Sequence, residues 1–247
     1  MRRLVPLALA GLVVLAGCGT EGPASVREAG PSFSPAATSS AQPTRTPGPA
    51  ADPDVSLANF PLALGYAEEN GDDHSPVTVT RKPGMGTVRY CALAAWDPRD
   101  GTSDLIGVEF RGEAEWSLGR TLVLYPSEEA AADAVSSARD AVVGCPDEPA
   151  QDGYGTTHDV LDIPLGDQSV VWTDTYWSAS DGEHLHDTGL TVYHLVRVGQ
   201  AVLASYEYGE GNGSEESRER AVAEATRADR DVVEAMRDLA TGPGPAA

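Results

Sequence analysis

The start of this sequence restricts any compact fold to the residues that follow it. Arg2 and Arg3 precede an apolar run over residues 4–15, and small residues follow the run. A basic start, a short apolar core and small residues before a break are typical of a secretory signal peptide, whereas a membrane-spanning helix needs about 20 apolar residues. We therefore predict that residues 1–17 are a signal peptide and that the chain is exported.

The four residues that close this run, Leu15-Ala16-Gly17-Cys18, resemble the lipobox of bacterial lipoproteins. The resemblance implies that the Cys18 sulfur receives a diacylglycerol and that the chain is cut just before Cys18. Two or more buried acyl chains, such as palmitate, hold a protein stably on a membrane. The expected location is the outer face of the cytoplasmic membrane. An ordinary signal peptide followed by a chance cysteine is the alternative.

Residues 18–58 are predicted to be a disordered linker that begins at the lipidated cysteine. They combine Ser, Thr, Ala and Gly with very few large apolar side chains, so they cannot bury enough surface to offset the entropy of ordering. Seven prolines are spread along the segment: Pro23, Pro31, Pro35, Pro43, Pro47, Pro49 and Pro53. A single domain over residues 59–241 and a short tail over 242–247 remain.

The chain is strongly acidic, with 38 acidic residues against 17 basic ones. Removal of Arg2 and Arg3 with the signal peptide leaves a net charge of 15 − 38 = −23. An acidic surface repels nucleic acid and anionic lipid headgroups. We therefore expect no nucleic-acid partner, and attachment to the membrane through the acyl chains alone.

Cys91 and Cys145 remain as an even pair once Cys18 is assigned to lipid. In an oxidising compartment such a pair is expected to form a disulfide. The bridge would close a loop of about 54 residues and stabilise the fold by about 4 kcal/mol in the chain-entropy description. Two buried free thiols are the alternative.

Alternating apolar residues predict a series of strands separated by turn residues. The predicted strands are Val77–Thr80, Val88–Leu93, Asp104–Arg111, Ala114–Tyr125, Thr156–Leu161, Gln168–Trp177, Leu190–Val198 and Ala201–Tyr208. Gly199 and Gln200 form a two-residue turn with glycine first, as a type II′ hairpin requires. That register places Tyr193 opposite Tyr206.

Two helices are predicted, one in the middle of the chain and one at its C-terminal end. Ser127 is a helix cap followed by two acids, and Gly144 is placed to end that helix. Ser214 begins a second helix that reaches about Ala240. Strands, a helix, more strands and a helix predict an α+β domain, with a mostly antiparallel sheet packed by these two main helices.

The order of these elements resembles a known family. The stretches "YPSEEAAADAVSSARDAVVGCP", "LGDQSVVWT" and "VYHLVRVGQAVLASYEY", followed by a long helix, are similar to actinobacterial sensor-domain lipoproteins related to the extracellular domain of the receptor kinase PknH. The resemblance covers about residues 55–240 and implies a mixed sheet backed by helices, with a cleft for an unidentified ligand. Kinase-linked members carry two disulfides, whereas this chain has cysteines for one outside Cys18. We therefore expect ligand capture at the outer surface rather than signalling across the membrane.

Aromatic residues are concentrated in the strands of the second half of the chain. Aromatic side chains flanked by a few polar groups are typical of a ligand pocket, and core packing under a helix is the alternative. The candidate ligand-binding residues are Trp172, Tyr176, Trp177, Tyr193, Tyr206 and Tyr208.

Three histidines suggest two further kinds of site, a metal site and a hydrolase active site. His184 and His186 alternate in a way that could present two imidazoles to a metal, although no third ligand is evident and a polar loop is the alternative. His158 beside Asp159 invites a hydrolase interpretation, but the sequence has no G-x-S-x-G motif. We expect no metal or other cofactor.

The sequence therefore predicts a lipid-anchored, extracytoplasmic binding or sensor-like module without catalytic activity. Its ligand would be a small molecule or a component of the cell envelope. A structural lipoprotein that docks a protein partner through an exposed apolar patch is the alternative. A hydrolase would require His158, or the pair His184 and His186, to meet carboxylates in a cleft.

Overall fold

The computed structural model describes residues 56–113, 115–151, 153–180, 183–210 and 214–241. The predictions for the signal peptide, for Cys18, for most of the linker and for the tail lie outside these residues. A short 3₁₀ helix spans Leu57–Asn59, and Leu57, two residues before the predicted start of the domain, is buried in the core. Within the described ranges, no helix combines the length and apolar character needed to cross a membrane.

The main sheet is antiparallel throughout and has seven strands among the described residues, in the order β3-β4-β9-β8-β7-β6-β5. A separate two-stranded hairpin, β1–β2, precedes it in the chain. The strands are β1 Val88–Tyr90, β2 Leu93–Trp96, β3 Asp104–Arg111, β4 Ser117–Leu124, β5 Asp147–Gln151, β6 Tyr154–Leu161, β7 Gln168–Ser180, β8 Glu183–Val198 and β9 Ala201–Gly209.

Two helices cover opposite faces of the sheet, which confirms the predicted α+β architecture. Helix α1 spans Glu128–Val143, and its N-cap Ser127 accepts a hydrogen bond from the Ala130 amide, as the sequence predicted. Helix α2 spans Glu215–Thr241. The residues of α1 pack with Trp172 and Leu195, while those of α2 pack with the other side of the same strands.

The hairpin formed by β8 and β9 fixes which side chains reach each helix. Gly199 begins its turn with φ at 57°, the left-handed value that a first-position glycine supplies. Tyr193 lies opposite Tyr206 in the ladder, as predicted. Neighbouring residues of a strand point to opposite faces of a sheet. Tyr193 and Tyr206 therefore face α1 and the β1–β2 hairpin, whereas His194 faces α2.

The structure differs from the predicted strands at four main points, apart from small shifts at strand ends. The predicted strand Val88–Leu93 is two strands, because Cys91 and Ala92 form a turn with φ values of 47° and 67°. The predicted strand Val77–Thr80 is reduced to an isolated bridge from Thr80 to Gly107. Strand β5 was missed and β8 begins earlier than predicted, since both segments are polar and owe their pairing to neighbouring strands.

The structure contains the predicted disulfide between Cys91 and Cys145, with Cα atoms 6.0 Å apart. Cys145 follows the end of α1 and is buried, whereas Cys91 lies in the exposed turn of the β1–β2 hairpin. Glu148 accepts a hydrogen bond from the Cys91 amide at 2.8 Å. The bridge and this hydrogen bond tie the hairpin to the end of α1.

The chain reaches the hairpin by crossing closely over β3 and β4. A Cβ atom at Gly84 would lie 2.0 Å from the Val108 carbonyl oxygen, so no larger residue fits there without movement of the backbone. The Met85 amide donates to Thr121 Oγ1 at 2.8 Å, and that hydroxyl donates back to the Met85 carbonyl at 3.0 Å. This crossing places β1 over the α1 side of the sheet.

Candidate functional site

A cavity of about 360 Å³ lies between the β1 strand with its preceding loop and the α1 side of the sheet. We call it the hairpin cavity. Its volume falls within the range of about 300–1,000 Å³ that is usual for small-molecule sites. It is lined by Met85, Gly86, Thr87, Val88, Arg89, Tyr90, Glu148, Thr156, His158, Asp174, Tyr176, Tyr193 and Tyr206.

Strand register brings the sheet side of this cavity together. His158 of β6 is paired with Asp174 of β7, and Tyr193 of β8 with Tyr206 of β9. Trp172 lies opposite Tyr193, two residues before Asp174, and therefore shares its face. A cluster of aromatic and polar groups thus forms from four different strands.

A buried hydrogen-bonded chain forms the polar centre of the cavity. The Nδ1–H of His158 donates to Asp174 at 2.7 Å, and the Tyr90 hydroxyl donates to both carboxylate oxygens of Asp174 at 3.1 Å. The indole Nε1–H of Trp172 donates in turn to the Tyr90 hydroxyl. His158 is 6% exposed and Asp174 is 5% exposed. The hairpin is therefore joined to the sheet through Tyr90.

The second imidazole nitrogen of His158 is the unsatisfied group in this site. Nε2 is buried and has no hydrogen-bond partner among the described residues. The hydrogen bond of Nδ1 to Asp174 orients the ring and leaves Nε2 as the nitrogen available to another molecule. A buried polar atom without a partner costs free energy, and a polar group placed beside it would remove that cost.

Burial raises the pKa of Asp174 and of the four tyrosines that line the cavity. For Asp174, this effect of burial on the pKa is opposed by hydrogen bonds from His158 and Tyr90. For Tyr90 and Tyr193, burial raises the pKa far above the ordinary phenol value. Their hydroxyls therefore remain protonated at neutral pH, and each can both donate and accept a hydrogen bond.

The six predicted aromatic residues are only partly brought together. Tyr176, Tyr193 and Tyr206 line the hairpin cavity. Trp172 is fully buried beneath it and stacks on Tyr193, with ring centroids 5.0 Å apart. Ligand binding by these residues stays a prediction.

The other two predicted aromatics lie outside the cavity. Trp177 points to the opposite face of β7, where its ring covers Gly155 and its Nε1–H donates to Thr157 at 3.2 Å. Tyr208 contacts Tyr176 edge to face, with centroids 6.2 Å apart, but does not line the cavity. The register between β7 and β8 shifts there, because Tyr176 pairs with Gly189 and Trp177 with Asp187, so that β8 carries one extra residue.

Sequence reasoning missed Tyr90, Asp174 and Glu148 as site residues, and connected His158 to its neighbour Asp159. The structure pairs Asp159 with Arg218 instead, at 3.1 Å. Tyr90 did carry a signal, because it directly precedes a cysteine that was predicted to form a disulfide.

The metal hypothesis for His184 and His186 stays untested, because their backbone lies in β8 while their side chains are outside the described part of the chain. Elsewhere, the sulfur atoms of Cys91 and Cys145 lie close to a Glu148 carboxylate oxygen. The disulfide uses both sulfurs, so this group does not offer the thiolate ligands that a metal such as Zn²⁺ prefers.

A second buried polar cluster lies on the α2 side of the sheet. Asp229 of α2 receives hydrogen bonds from Arg120 Nε at 2.8 Å, from His194 Nδ1 at 2.7 Å and from the Ser205 hydroxyl. In a hydrolase the serine and the acid must contact different nitrogens of the histidine. Here Ser205 and Asp229 both approach Nδ1, and Nε2 faces Thr226 at 3.3 Å. The cluster fastens α2 to the sheet and is not arranged as a nucleophile and its base.

Comparisons by sequence and by structure give different results for this chain. A scan against protein families finds no match, and a search of curated proteins finds none either. Among solved structures, the crystal structure of the extracellular domain of PknH from Mycobacterium tuberculosis is similar, with 17% sequence identity and a TM-score of 0.40. The match covers 69% of this chain and 80% of that chain.

Proposed function

We propose that this chain is a lipid-anchored, extracytoplasmic binding protein without catalytic activity, which holds a small ligand in the hairpin cavity. The observation that carries the proposal is the combination of three tyrosines from the sheet with the buried, unpartnered Nε2 of His158. A concave site with aromatic walls and a few converging polar groups is the usual form of a small-molecule pocket. The predicted signal peptide and the lipobox-like residues that end at Cys18 support export and lipid anchoring.

The walls indicate the chemistry of this ligand. Tyr176, Tyr193 and Tyr206 offer aromatic surface against which a flat or apolar moiety can pack. His158 also lines the cavity, and its buried Nε2 has no hydrogen-bond partner among the described residues. Arg89 and Glu148 line the same cavity with opposite charges. The ligand is therefore a small amphipathic molecule with one polar end.

Binding is favoured over hydrolysis by the composition of the cavity wall. Among the described residues that line it, the hydroxyl groups belong to threonine and tyrosine, and none belongs to serine. Asp174 orients His158 from one side, but no nucleophile is held at the other ring nitrogen. Nucleophilic catalysis requires a nucleophile and a base within hydrogen-bond reach of each other.

Native mass spectrometry of the full chain, purified in mild detergent from its own organism, tests this proposal. We expect a small molecule to be retained by the wild-type protein and to be lost from His158→Ala, because the substitution removes the polar end of the site. The matched control is Tyr154→Phe, which changes an exposed side chain of the same strand, 63% accessible to solvent.

Circular dichroism shows whether His158→Ala is folded, and Tyr176→Phe provides a milder change of the cavity wall. Retention of the same molecule by wild type and by both cavity variants would reject the hairpin cavity as its site. A bare mass for the wild-type chain would favour the protein-docking alternative. For that alternative, the exposed side chains of Leu93 and Val143 each lie two residues from a cysteine of the disulfide.

Lipid anchoring has its own test. We expect the wild-type chain to incorporate an alkyne-labelled palmitate in growing cells and to sediment with membranes. Cys18→Ser should abolish the label and release the chain into the soluble exported fraction, because the acidic mature chain has little other affinity for the membrane. Unchanged labelling of Cys18→Ser would exclude Cys18 as the attachment site.

A further inference from the structure

A second and larger cavity, of about 730 Å³, lies on the α2 side of the sheet. We call it the helix cleft. Residues of β7, β8 and β9 form its floor, and the first turns of α2 form one wall. It is lined by Trp116, Thr175, Asp187, Thr188, Gly189, Leu190, Glu207, Gly209, Glu210, Ser217, Arg218, Arg220, Ala221 and Glu224. None of these residues lines the hairpin cavity.

Trp116 is held in a fixed orientation although 41% of its surface is exposed. Phe110 meets its ring edge to face, with centroids 5.3 Å apart. The indole lies directly on Gly112, where an added Cβ atom would come within 2.4 Å of the ring. The indole Nε1–H reaches a carboxylate oxygen of Glu207 at 3.4 Å. A large aromatic surface is therefore presented to the cleft without being covered by the protein.

The charges around the cleft disfavour an ionic ligand of either sign. Among the described residues that line it, four carry carboxylates and two carry guanidinium groups, and Arg218 is already bound to Asp159 at 3.1 Å. The excess of acid repels an anion such as a phosphate. It attracts a cation, but Arg218 and Arg220 lie in the same wall, and Trp116 is the one aromatic residue among the described lining residues, whereas cages for quaternary ammonium groups use several rings.

The class of ligand that best fits the helix cleft is a neutral molecule with many hydroxyl groups. Carboxylates accept hydrogen bonds from hydroxyls, arginines donate to them, and the hydroxyls of Thr175, Thr188 and Ser217 do both. One face of a pyranose ring presents only C–H groups, which pack on an aromatic surface while the hydroxyls at the ring edge meet polar walls.

We propose that the helix cleft binds a neutral oligosaccharide, with one sugar ring stacked on Trp116 and its hydroxyls bound by the carboxylates and arginines of the wall. The cleft volume accommodates more than one sugar ring. This site is separate from the hairpin cavity and does not depend on the function proposed for that cavity. It gives the exported domain a means of contact with the glycans of the cell envelope.

Saturation-transfer difference NMR on the full chain tests this site directly. The protein is held in a polyoxyethylene detergent, since glycoside detergents would compete for the cleft. Chitotriose, maltotriose and mannotriose are the neutral probes, and choline and inorganic phosphate are the charged ones. We expect saturation transfer to the C–H protons of at least one trisaccharide. Trp116→Ala should weaken its binding about tenfold or more, because the stacking surface is lost.

Two controls separate this site from the other. Tyr154→Ala removes an aromatic side chain that is even more exposed than Trp116 but lies away from the cleft, and it should leave trisaccharide binding unchanged. His158→Ala should also leave it unchanged, so failure of one site is distinguishable from failure of the other. Absence of transfer to all three trisaccharides, equal binding by Trp116→Ala, or binding of choline or phosphate alone would each overturn the proposal.

Discussion

Replacement of Arg120 by methionine is expected to lower the free energy of unfolding by about 3–5 kcal/mol, the cost of leaving one member of a buried ion pair without its partner. Arg120 is 1% exposed and Asp229 is 3% exposed. Without the guanidinium, the carboxylate would remain in the core with only His194 and Ser205 to stabilise its charge. We expect a larger effect here than at any exposed ion pair of the domain.

Arg120 joins its own strand, β4, to α2 and to the segment that contains Leu62 and Leu64. Its Nε binds Asp229, and Nη2 donates to the Ala228 carbonyl at 3.0 Å, so both groups hold α2. Its Nη1 donates to the carbonyls of Leu62 at 3.1 Å and Leu64 at 2.6 Å, which anchors the segment that follows the short 3₁₀ helix. The guanidinium carbon also lies 4.3 Å from the centre of the Tyr66 ring.

Urea unfolding followed by circular dichroism measures this effect. The matched control is Arg81→Met, which breaks an ion pair with Asp104 whose side chains are 60% and 44% exposed; it should cost less than about 1 kcal/mol. The double variant Arg120→Met/Asp229→Leu should recover part of the loss, because no charge is then left buried. If Arg120→Met lowered the free energy of unfolding by less than about 1 kcal/mol, the stabilising role of the buried contacts between Arg120 and Asp229 would be contradicted.

The same network predicts a pH dependence. Burial by itself would raise the pKa of Asp229, but the hydrogen bond and charge of His194 and the charge of Arg120 outweigh it and hold the pKa below its ordinary value. The stability contributed by the ionised carboxylate is therefore complete above the unfolded pKa of about 3.9 and is lost as the pH falls through the folded value. The stability gap between wild type and Asp229→Asn should narrow in that acidic range.

Burial raises the pKa of Asp174, so its titration has the opposite sign: its contribution falls as the pH rises through the folded value. Wild type and Asp229→Asn both retain Asp174, so its titration cancels in the difference between their free energies of unfolding. A stability gap that stays constant below pH about 4 would contradict the lowered pKa of Asp229.

Removal of the disulfide is expected to cost about 4 kcal/mol, the chain-entropy value for a loop of this length. The two cysteines are separated by 54 positions, and the bridge connects the β1–β2 hairpin to the end of α1. Cys91 and Ala92 both have positive φ values, 47° and 67°, which side chains other than glycine adopt at a cost. The bridge therefore also holds an unfavourable turn in place.

The effect should extend to the hairpin cavity. Tyr90 precedes Cys91 and forms part of the cavity wall, so a hairpin released from α1 would open the site. We expect Cys91→Ser/Cys145→Ser to unfold at a lower urea concentration than the oxidised wild type and to bind its retained ligand more weakly. Dithiothreitol should lower the stability of the wild type and leave that of the double variant unchanged. Equal urea midpoints for the oxidised and reduced wild type would contradict this account.

The parts of the fold that the sequence could predict depend on local chemistry. Ser127 caps α1 by accepting a hydrogen bond from the amide of Ala130, three residues further along the chain. Gly199 supplies the positive φ of a two-residue hairpin turn. Once that turn is placed, the ladder follows, so Tyr193 and Tyr206 could be paired from the sequence. The pairing of Cys91 with Cys145 required only an even number of cysteines outside Cys18 and an oxidising compartment.

The parts that could not be predicted depend on contacts between distant segments. Tyr90 and Asp174 are 84 positions apart, and Arg120 and Asp229 are 109 apart. Nothing around Arg120 marks it as buried, since a lone arginine in an alternating strand is usually a solvated side chain. The turn at Cys91 and Ala92 lacks the Gly, Asn or Asp that normally marks such a conformation, so the sequence pattern predicts one strand where the structure has a hairpin.

A crystal structure of the chain purified from the exported fraction of its own organism would test ligand capture in the hairpin cavity most directly. We predict electron density for a small molecule against Tyr176, Tyr193 and Tyr206, with a polar group within hydrogen-bond distance of His158 Nε2. A cavity that holds only water, or that is closed by its own side chains, would contradict the proposed function.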